Sequence, residues 1–401
     1  MNNFPKHWQV KKLGEICEVK MGQSPEGKFV SDSLSNLQEA LEFHQGKIYF
    51  SDKFILKSKF YTSEIRKIAD ENSILLCVRA PVGIVNLTDR KVAIGRGLCA
   101  LKFKKDNNMF LYYFLINSKA YFETNSTGTT FQAINLNIVK KLEIPLPSLD
   151  EQNLIVKKIE RCFEKIDFAI SNFKKSKELI EIYKQSVLSH AFNGKLTNSN
   201  LNSWQVKKLC DTSDIITGST PPKNEPKFYG NEYPFFKPTD LNDGYLVKFA
   251  RDNLSEAGKQ ISRQLPPKSV LVTCIGATIG KTGLIRVEGS CNQQINAIVP
   301  KENLLPEYVY FYVISAQFQN LILENASSTT LPILNKSKFE ALPILLPPLS
   351  EQNLIVAQIE KRFKAADNAL NLIEQNLKKA EILKQSILSK AFNGRLVKDK
   401  K

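Results

Sequence analysis

Two stretches of the chain carry apolar residues at alternating steps of four and three. In the first they are Ile159, Phe163, Ile166, Ile170 and Phe173, then Ile180 and Val187. In the second they are Ile359, Phe363, Ala366, Leu370, Ile373, Leu377, Ala380 and Ile387. A seam of this period predicts a helix that must meet a partner helix along its length. Proline-stiffened entries, Ile144-Pro145-Leu146-Pro147 and Ile344-Leu345-Leu346-Pro347-Pro348, precede the two stretches and cannot be helix interior. Ser148 with Glu151 predicts a capping box at the first start. Pro348 replaces that serine in the second copy, where Ser350 is expected to cap instead. Asn193-Gly194 and Asn393-Gly394 supply the stops. About 42 residues without proline or glycine lie between these signals, roughly 60 Å of helix at 1.5 Å per residue.

The remaining segments have a different period. Ile74-Leu75-Leu76-Cys77-Val78 and Val270-Leu271-Val272-Thr273-Cys274-Ile275 are apolar, β-branched runs of the kind buried strands carry. The two halves also repeat each other in text. Glu151-Gln152-Asn153-Leu154-Ile155-Val156 recurs as Glu351-Gln352-Asn353-Leu354-Ile355-Val356, and Trp8-Gln9-Val10-Lys11-Lys12-Leu13 returns as Trp204-Gln205-Val206-Lys207-Lys208-Leu209. A period this long is a duplicated domain pair, not a solenoid of short repeats. The expected fold class is therefore α+β with a pseudo-two-fold internal repeat. Two mixed α/β domains, 1–147 and 195–347, alternate with two long helices, 148–194 and 348–401 including a basic tail. The best partner for each helix is the other copy, so the pair is expected as an antiparallel coiled coil with a globular domain at each end.

Composition narrows the chemistry. The net charge is +16 and every segment of this division is net positive, so a folded, diffusely basic surface is expected to favour a polyanion. Seven scattered cysteines without a C-x-x-C pattern point to reduced thiols rather than disulfides or a metal site. Three histidines supply little acid–base or metal chemistry. No apolar run approaches a membrane span and no signal peptide opens the chain, which predicts a cytoplasmic protein without membrane contact.

The candidate motifs for catalysis fail on spacing. Gly276-Ala277-Thr278-Ile279-Gly280-Lys281-Thr282 is one residue short of a phosphate-binding loop, and its internal counterpart, Ala80-Pro81-Val82-Gly83-Ile84, has no lysine. A turn between strands is expected there. Asp214 with Glu225 and Lys227 mimics a metal-dependent nuclease, but prolines at 221, 222 and 226 break the strand that would present them. No catalytic residue, metal or cofactor is expected. What the halves share are polar loops. Lys20-Met21-Gly22-Gln23-Ser24-Pro25 matches Ile216-Thr217-Gly218-Ser219-Thr220-Pro221, and Gly128-Thr129-Thr130-Phe131-Gln132 matches Ser328-Thr329-Thr330-Leu331-Pro332. Arg79 and Arg96 in the first half, and Lys281 with Asn292-Gln293-Gln294 in the second, add donors beside strand-like runs. Arginine reads guanine, and asparagine or glutamine reads adenine, by paired hydrogen bonds in the major groove. The alternative for each is a plain turn or a hydroxyl cap.

Taken together, these motifs resemble the specificity subunits of type I restriction–modification systems over the whole chain. The marks are Pro145-Leu146-Pro147-Ser148-Leu149-Asp150-Glu151-Gln152 before the helix and the Lys-Gln-Ser…Ala-Phe-x-Gly-Lys/Arg-Leu exits at 184–196 and 384–396. Thr220-Pro221, Ile275–Lys281 and Asn292-Gln293-Gln294 add the recognition-domain signature. The first domain departs from it, with Ser24 for the threonine and Ile94-Gly95-Arg96 near where Asn-Gln-Gln would stand. The resemblance implies a non-catalytic reader of double-stranded DNA. Each domain would specify half of a split, asymmetric target, and the helix pair would set the gap. Partners would be two methyltransferase subunits, which hold S-adenosylmethionine, and through them motor–endonuclease subunits. Phe192 and Phe392, at the matching helix exits, are expected as exposed anchors for the methyltransferases.

Overall fold

The computed structural model describes residues 4–33, 39–128, 132–198, 201–327 and 331–397. The chain divides into two compact units, and the division falls inside the long helices. Unit 1 comprises Met1–Phe173 with Gln375–Lys401, and unit 2 comprises Lys174–Glu374.

In unit 1, strands β1 (Gln9–Lys12), β2 (Cys17–Met21), β3 (Val30–Ser31), β4 (Leu41–His44), β5 (Tyr61–Thr62) and β6 (Ile68–Ala69) come first. Strands β7 (Ile74–Cys77), β8 (Val85–Leu87), β9 (Val92–Ile94), β10 (Leu98–Phe103) and β11 (Glu143–Leu146) follow. They form a four-stranded sheet ordered β2-β10-β7-β8, a five-stranded sheet ordered β3-β5-β4-β9-β6, and the ribbon β1-β11. The run read as a buried strand is β7, buried at all four positions. The proline-rich entry is itself the strand β11, paired antiparallel with β1. Its Pro145 marks a two-stranded ribbon, where a missing N–H is tolerated.

Unit 2 repeats the plan with β12 (Gln205–Lys208), β13 (Ser213–Thr217), β14 (Tyr229–Gly230), β15 (Tyr233–Phe236) and β16 (Asp252–Leu254). It continues with β17 (Val270–Thr273), β18 (Thr282–Leu284), β19 (Ser290–Cys291), β20 (Ile295–Pro300) and β21 (Pro343–Leu346). Its sheets are ordered β13-β20-β17-β18 and β14-β16-β15-β19, with the ribbon β12-β21.

The long helices span Leu149–Phe192 and Leu349–Phe392, 44 residues each. Within each unit the start of one helix packs against the end of the other. In unit 1, Ile159 and Ile166 share a core with Ile387 and Leu388. There Lys158 donates to the Leu396 carbonyl at 2.6 Å and Lys384 to Asp167. Partners descend in number as Lys158 gives way to Asp167, so the pairing is antiparallel. Unit 2 repeats it with Lys184–Asp367 at 2.6 Å and Lys177–Glu374 at 3.0 Å. The ammonium of Lys384 lies 5.2 Å from the Phe163 ring centre, and that of Lys184 lies 5.5 Å from that of Phe363. All the seam positions named from the 4-3 spacing are buried or half-buried.

Two capping expectations need correction. Ser148 Oγ accepts from the Glu151 amide at 3.4 Å, but Glu151 does not reach back to Ser148. Its carboxylate instead accepts from Trp8 Nε1 at 3.0 Å, which ties the helix start to the chain's first turn. Ser350 is not the second cap, because it lies inside the helix. The Pro348 carbonyl receives the Glu351 and Gln352 amides at 2.9 and 3.0 Å, and a carbonyl at that place makes a side-chain cap unnecessary.

What anchors both helices is the glutamine of the Glu-Gln pair, fully buried in each copy. Gln152 accepts from the Asn107 amide at 3.1 Å and donates to the Pro147 carbonyl at 3.0 Å and to Asp106 at 3.1 Å. Gln352 accepts from the Leu305 amide at 2.9 Å and donates to the Asn303 and Pro347 carbonyls at 3.0 and 2.9 Å.

Candidate nucleic-acid interface

The polar loops converge at one end of each paired sheet system, and the two units use the same backbone to do it. In unit 1, β4 pairs parallel with β9, setting His44 beside Ile94; in unit 2, β15 pairs with β19, setting Phe236 beside Cys291. The Gly22 amide donates to Leu98 at 2.8 Å and the Gln23 amide to Ile94 at 3.0 Å. Gly218 and Ser219 make the same bonds to Ile295 and Cys291, each at 2.9 Å. By this register Ser24 occupies the place of Thr220, and Gly95-Arg96-Gly97 that of Asn292-Gln293-Gln294. A hydroxyl at the same place joins the two loops in each unit, through a different bond. Ser24 Oγ accepts from the Arg96 amide at 3.2 Å, and Thr220 donates to Gln293 Oε1.

The side chains on this shared backbone differ in kind. In unit 2 most of the named polar groups bond to each other. Asn292 Nδ2 donates to Gln294 Oε1 at 2.9 Å, Gln294 Nε2 to the Ile275 carbonyl at 3.4 Å, and Thr217 to Asn296 at 2.7 Å. Asn292 is buried, Gln293 exposed and Gln294 half-buried. Lys281 lies just after Gly280, which turns the chain between β17 and β18 with φ of 84°. The near-phosphate-loop sequence is thus a strand connection, and the Lys281 ammonium has no hydrogen bond to the candidate loop residues among those described.

In unit 1 the two arginines of this face are free among the described residues. Arg79, at the exit of β7, and Arg96 are exposed, and neither guanidinium has a hydrogen-bond partner among the described residues. They line one cavity of about 210 Å³ together with Gln45, Lys47 and Gly97. Arg96 also borders a larger recess of about 710 Å³ that holds Ser24, Phe43 and Gln45. Gln132 adjoins them, its carbonyl accepting from the Ala80 amide at 3.0 Å, and its side chain is exposed. Gln23 is exposed as well. Lys20 is not a free donor: its ammonium is tied to Asp70 at 2.8 Å, and this bond holds the Asp70 carboxyl below its usual range. Thr129, Thr130, Thr329 and Thr330 lie outside the described residues.

Two residues of this face had no signal in a single sequence. Gln45 and Lys47 follow β4 after a stretch with no motif, and only the parallel β4–β9 pairing brings them to Arg96.

The expected exposed anchors are corrected. Phe192 is 3% exposed and Phe392 2%. Phe192 packs edge-on against Tyr308 and Tyr312 at 5.5 and 5.0 Å, and Phe392 against Phe110 and Phe114 at 5.1 and 5.3 Å. Each ring closes the core of its own unit, and that burial, not partner binding, explains the repeated Ala-Phe pair.

The nuclease-like carboxylates are paired off separately, Asp214 with Lys301 at 3.8 Å and Glu225 with Lys227 at 2.6 Å. Burial pushes the thiols of Cys17, Cys77, Cys99, Cys274 and Cys291 up to about 12, so these are packing groups, not nucleophiles.

Comparison with known proteins gives the same pattern. The model of the type I restriction modification DNA specificity domain matches twice, over 5–180 and 202–382. The chain is 31% identical over 196 residues to the HindI specificity subunit of Haemophilus influenzae, which is 48% of this chain but only 42% of that relative. Over 422 residues it is 22% identical to the EcoKI specificity subunit of Escherichia coli, covering 98% and 90% of the two. A solved chain, from work on complex assembly and conformational transition of the type I R-M system, matches with a TM-score of 0.80 at 21% identity. That match covers 98% of this chain and 99% of the other. The duplicated sheets, the paired helices and the twice-matched domain place this chain in the family of type I restriction–modification DNA specificity proteins.

Proposed function

We propose that the chain is the DNA-reading, non-catalytic subunit of a type I restriction–modification enzyme, with one half of a split target read by each unit. The observation that carries this reading is one loop scaffold, built twice, that presents Ser24, Arg79 and Arg96 in one unit and Thr220, Gln293 and Gln294 in the other. Identical frames with different donors suit two unlike half-sites, since base edges are told apart by donor and acceptor pattern. The positive charge of +16 supplies the sequence-independent attraction to phosphates. The helix pair sets the gap between half-sites.

The chain holds no cofactor in this reading. Cutting and methylation belong to partners, two methyltransferase subunits docked on the helices and motor–endonuclease subunits joined through them. The protein works in the cytoplasm, beside host DNA; no helix among its described residues is long and apolar enough to cross a membrane. The repeated helices carry exposed apolar residues at matching places, Leu154 with Leu354 and Ile182 with Ile382. Two like patches suit two copies of one partner, and they replace the phenylalanines as docking anchors.

The deciding experiment exchanges residues 14–140 for those of a relative and reads the methylation motif of the assembled enzyme. One half-site should change and the other persist. If both changed together, the two-domain reading would fail.

A further inference from the structure

Among the described residues of unit 1, Gln45 is an exposed amide beside two free arginines. Its side chain has no hydrogen-bond partner among those residues, and it lines both recesses that Arg96 borders. The backbone there is fitted to it. A Cβ on Gly97 would stand 2.1 Å from the Gln45 carbonyl, and one on Gly95 would stand 3.0 Å from its Cγ. In unit 2 those places hold Asn292 and Gln294, whose side-chain amides bond to each other at 2.9 Å. The first domain has glycine at both places, and the amide beside them comes from the residue that follows β4.

The strand that delivers it is clamped from below. Glu42, buried on β4, receives Arg90 through Nε and Nη2, both at 2.8 Å, and the Ser58 amide at 2.6 Å. His44, fully buried, sits 2.8 Å from the same carboxylate through Nε2. The residue just beyond that clamp has a fixed backbone and a free head group, the arrangement that makes an amide selective rather than adaptable.

We infer that Gln45 is a specificity-determining residue of the first domain, which reads one base of the first half-site next to the base faced by Arg96. The inference rests on the DNA-reading role proposed above and names an additional contact within it. Adenine is the base whose major-groove edge an amide matches with two hydrogen bonds.

The test uses the full chain assembled with its methyltransferase subunits, reading the methylated motif genome-wide for wild type, Gln45→Ala and Gln45→Glu. Gln45→Ala should lower discrimination at a single position of the first half-site by roughly ten- to a hundredfold. Gln45→Glu, which keeps the size and decides the matter if the alanine variant does not assemble, should shift preference at that position toward cytosine, whose amino group a carboxylate accepts. A purely structural residue would not redirect the base. An unaltered motif at unaltered stringency in an assembled variant overturns the inference, and so does a change confined to the second half-site. The exchange of residues 14–140 separates the two levels. If that exchange moves no half-site, the domain itself does not read DNA; if it moves one and the Gln45 variants move nothing, only the assignment of Gln45 fails.

Discussion

At the scale of single residues, the contrast between His44 and its counterpart Phe236 is informative. Both sit at the end of the strand that feeds the interface, both are buried, and only one can take a proton. Burial holds the His44 imidazole below its ordinary value of 6.5. Burial alone would raise Glu42, but bonds from Arg90, Ser58 and His44 outweigh it and hold that carboxyl down at about 2. Both groups have folded values below their unfolded ones. Each therefore contributes stability present above its unfolded value and lost as pH falls. The loss should begin below about 6.5 as the unfolded histidine gains a proton first, and continue below about 4.5 as unfolded Glu42 does. His44→Phe, which copies unit 2, should remove the first phase of acid destabilisation and leave the second. Thermal melting of both proteins between pH 7 and pH 4 checks this, and parallel curves would show that His44 does not titrate on unfolding.

At the scale of elements, the long helices owe their placement to buried glutamines more than to caps. Each of those amides satisfies three groups at once, and a buried amide or carbonyl left without its partner costs about 1–3 kcal/mol. Gln152→Ala should destabilise the protein by about that amount, because the Asn107 amide and the Pro147 carbonyl would lose their partner. Gln352→Ala should do the same through Leu305, Asn303 and Pro347. Ser148→Ala, by contrast, removes a bond of only 3.4 Å and should cost much less. Chemical denaturation of the three variants ranks them, and a serine effect as large as the glutamine effect would contradict the assignment. The Glu-Gln motif was plain as text, and so was the helix it opens. That its glutamine locks the helix onto the preceding domain was not plain, because the backbone amides it accepts from, those of Asn107 and Leu305, lie some 45 residues away in sequence.

At the scale of the whole molecule, duplication is the organising fact, and assembly is where it acts. The exposed apolar pairs lie open at matching places on the two helices: Ile182 is 63% exposed and Ile382 68%. Ile182→Lys with Ile382→Lys should weaken capture of methyltransferase subunits in a pull-down while DNA binding by the isolated chain persists. Phe192→Ala with Phe392→Ala should instead lower stability by about 3–5 kcal/mol per site, as truncation of buried aromatics does. Intact assembly in the isoleucine double variant would remove Ile182 and Ile382 from the docking surface.

Periodicity and repetition sufficed to specify the helices, their antiparallel partnership and the twofold plan, because a 3.5-residue seam and a duplicated text are local statements about the chain. The absence of a phosphate loop was equally legible, since one missing residue is visible in any reading. Burial of Phe192 and Phe392 was decided only in three dimensions, because an aromatic at a helix exit looks the same in text whether it faces solvent or a neighbouring helix. The interface shows the same division. Arg79 and Arg96 stood out as donors beside strands, whereas the bonding that occupies Lys20, and the parallel pairing that brings Gln45 to Arg96, arise from contacts between residues some 50 positions apart. Hydrogen-bond partners and parallel-strand neighbours are chosen by the closed fold, and no local pattern encodes which donors it leaves free.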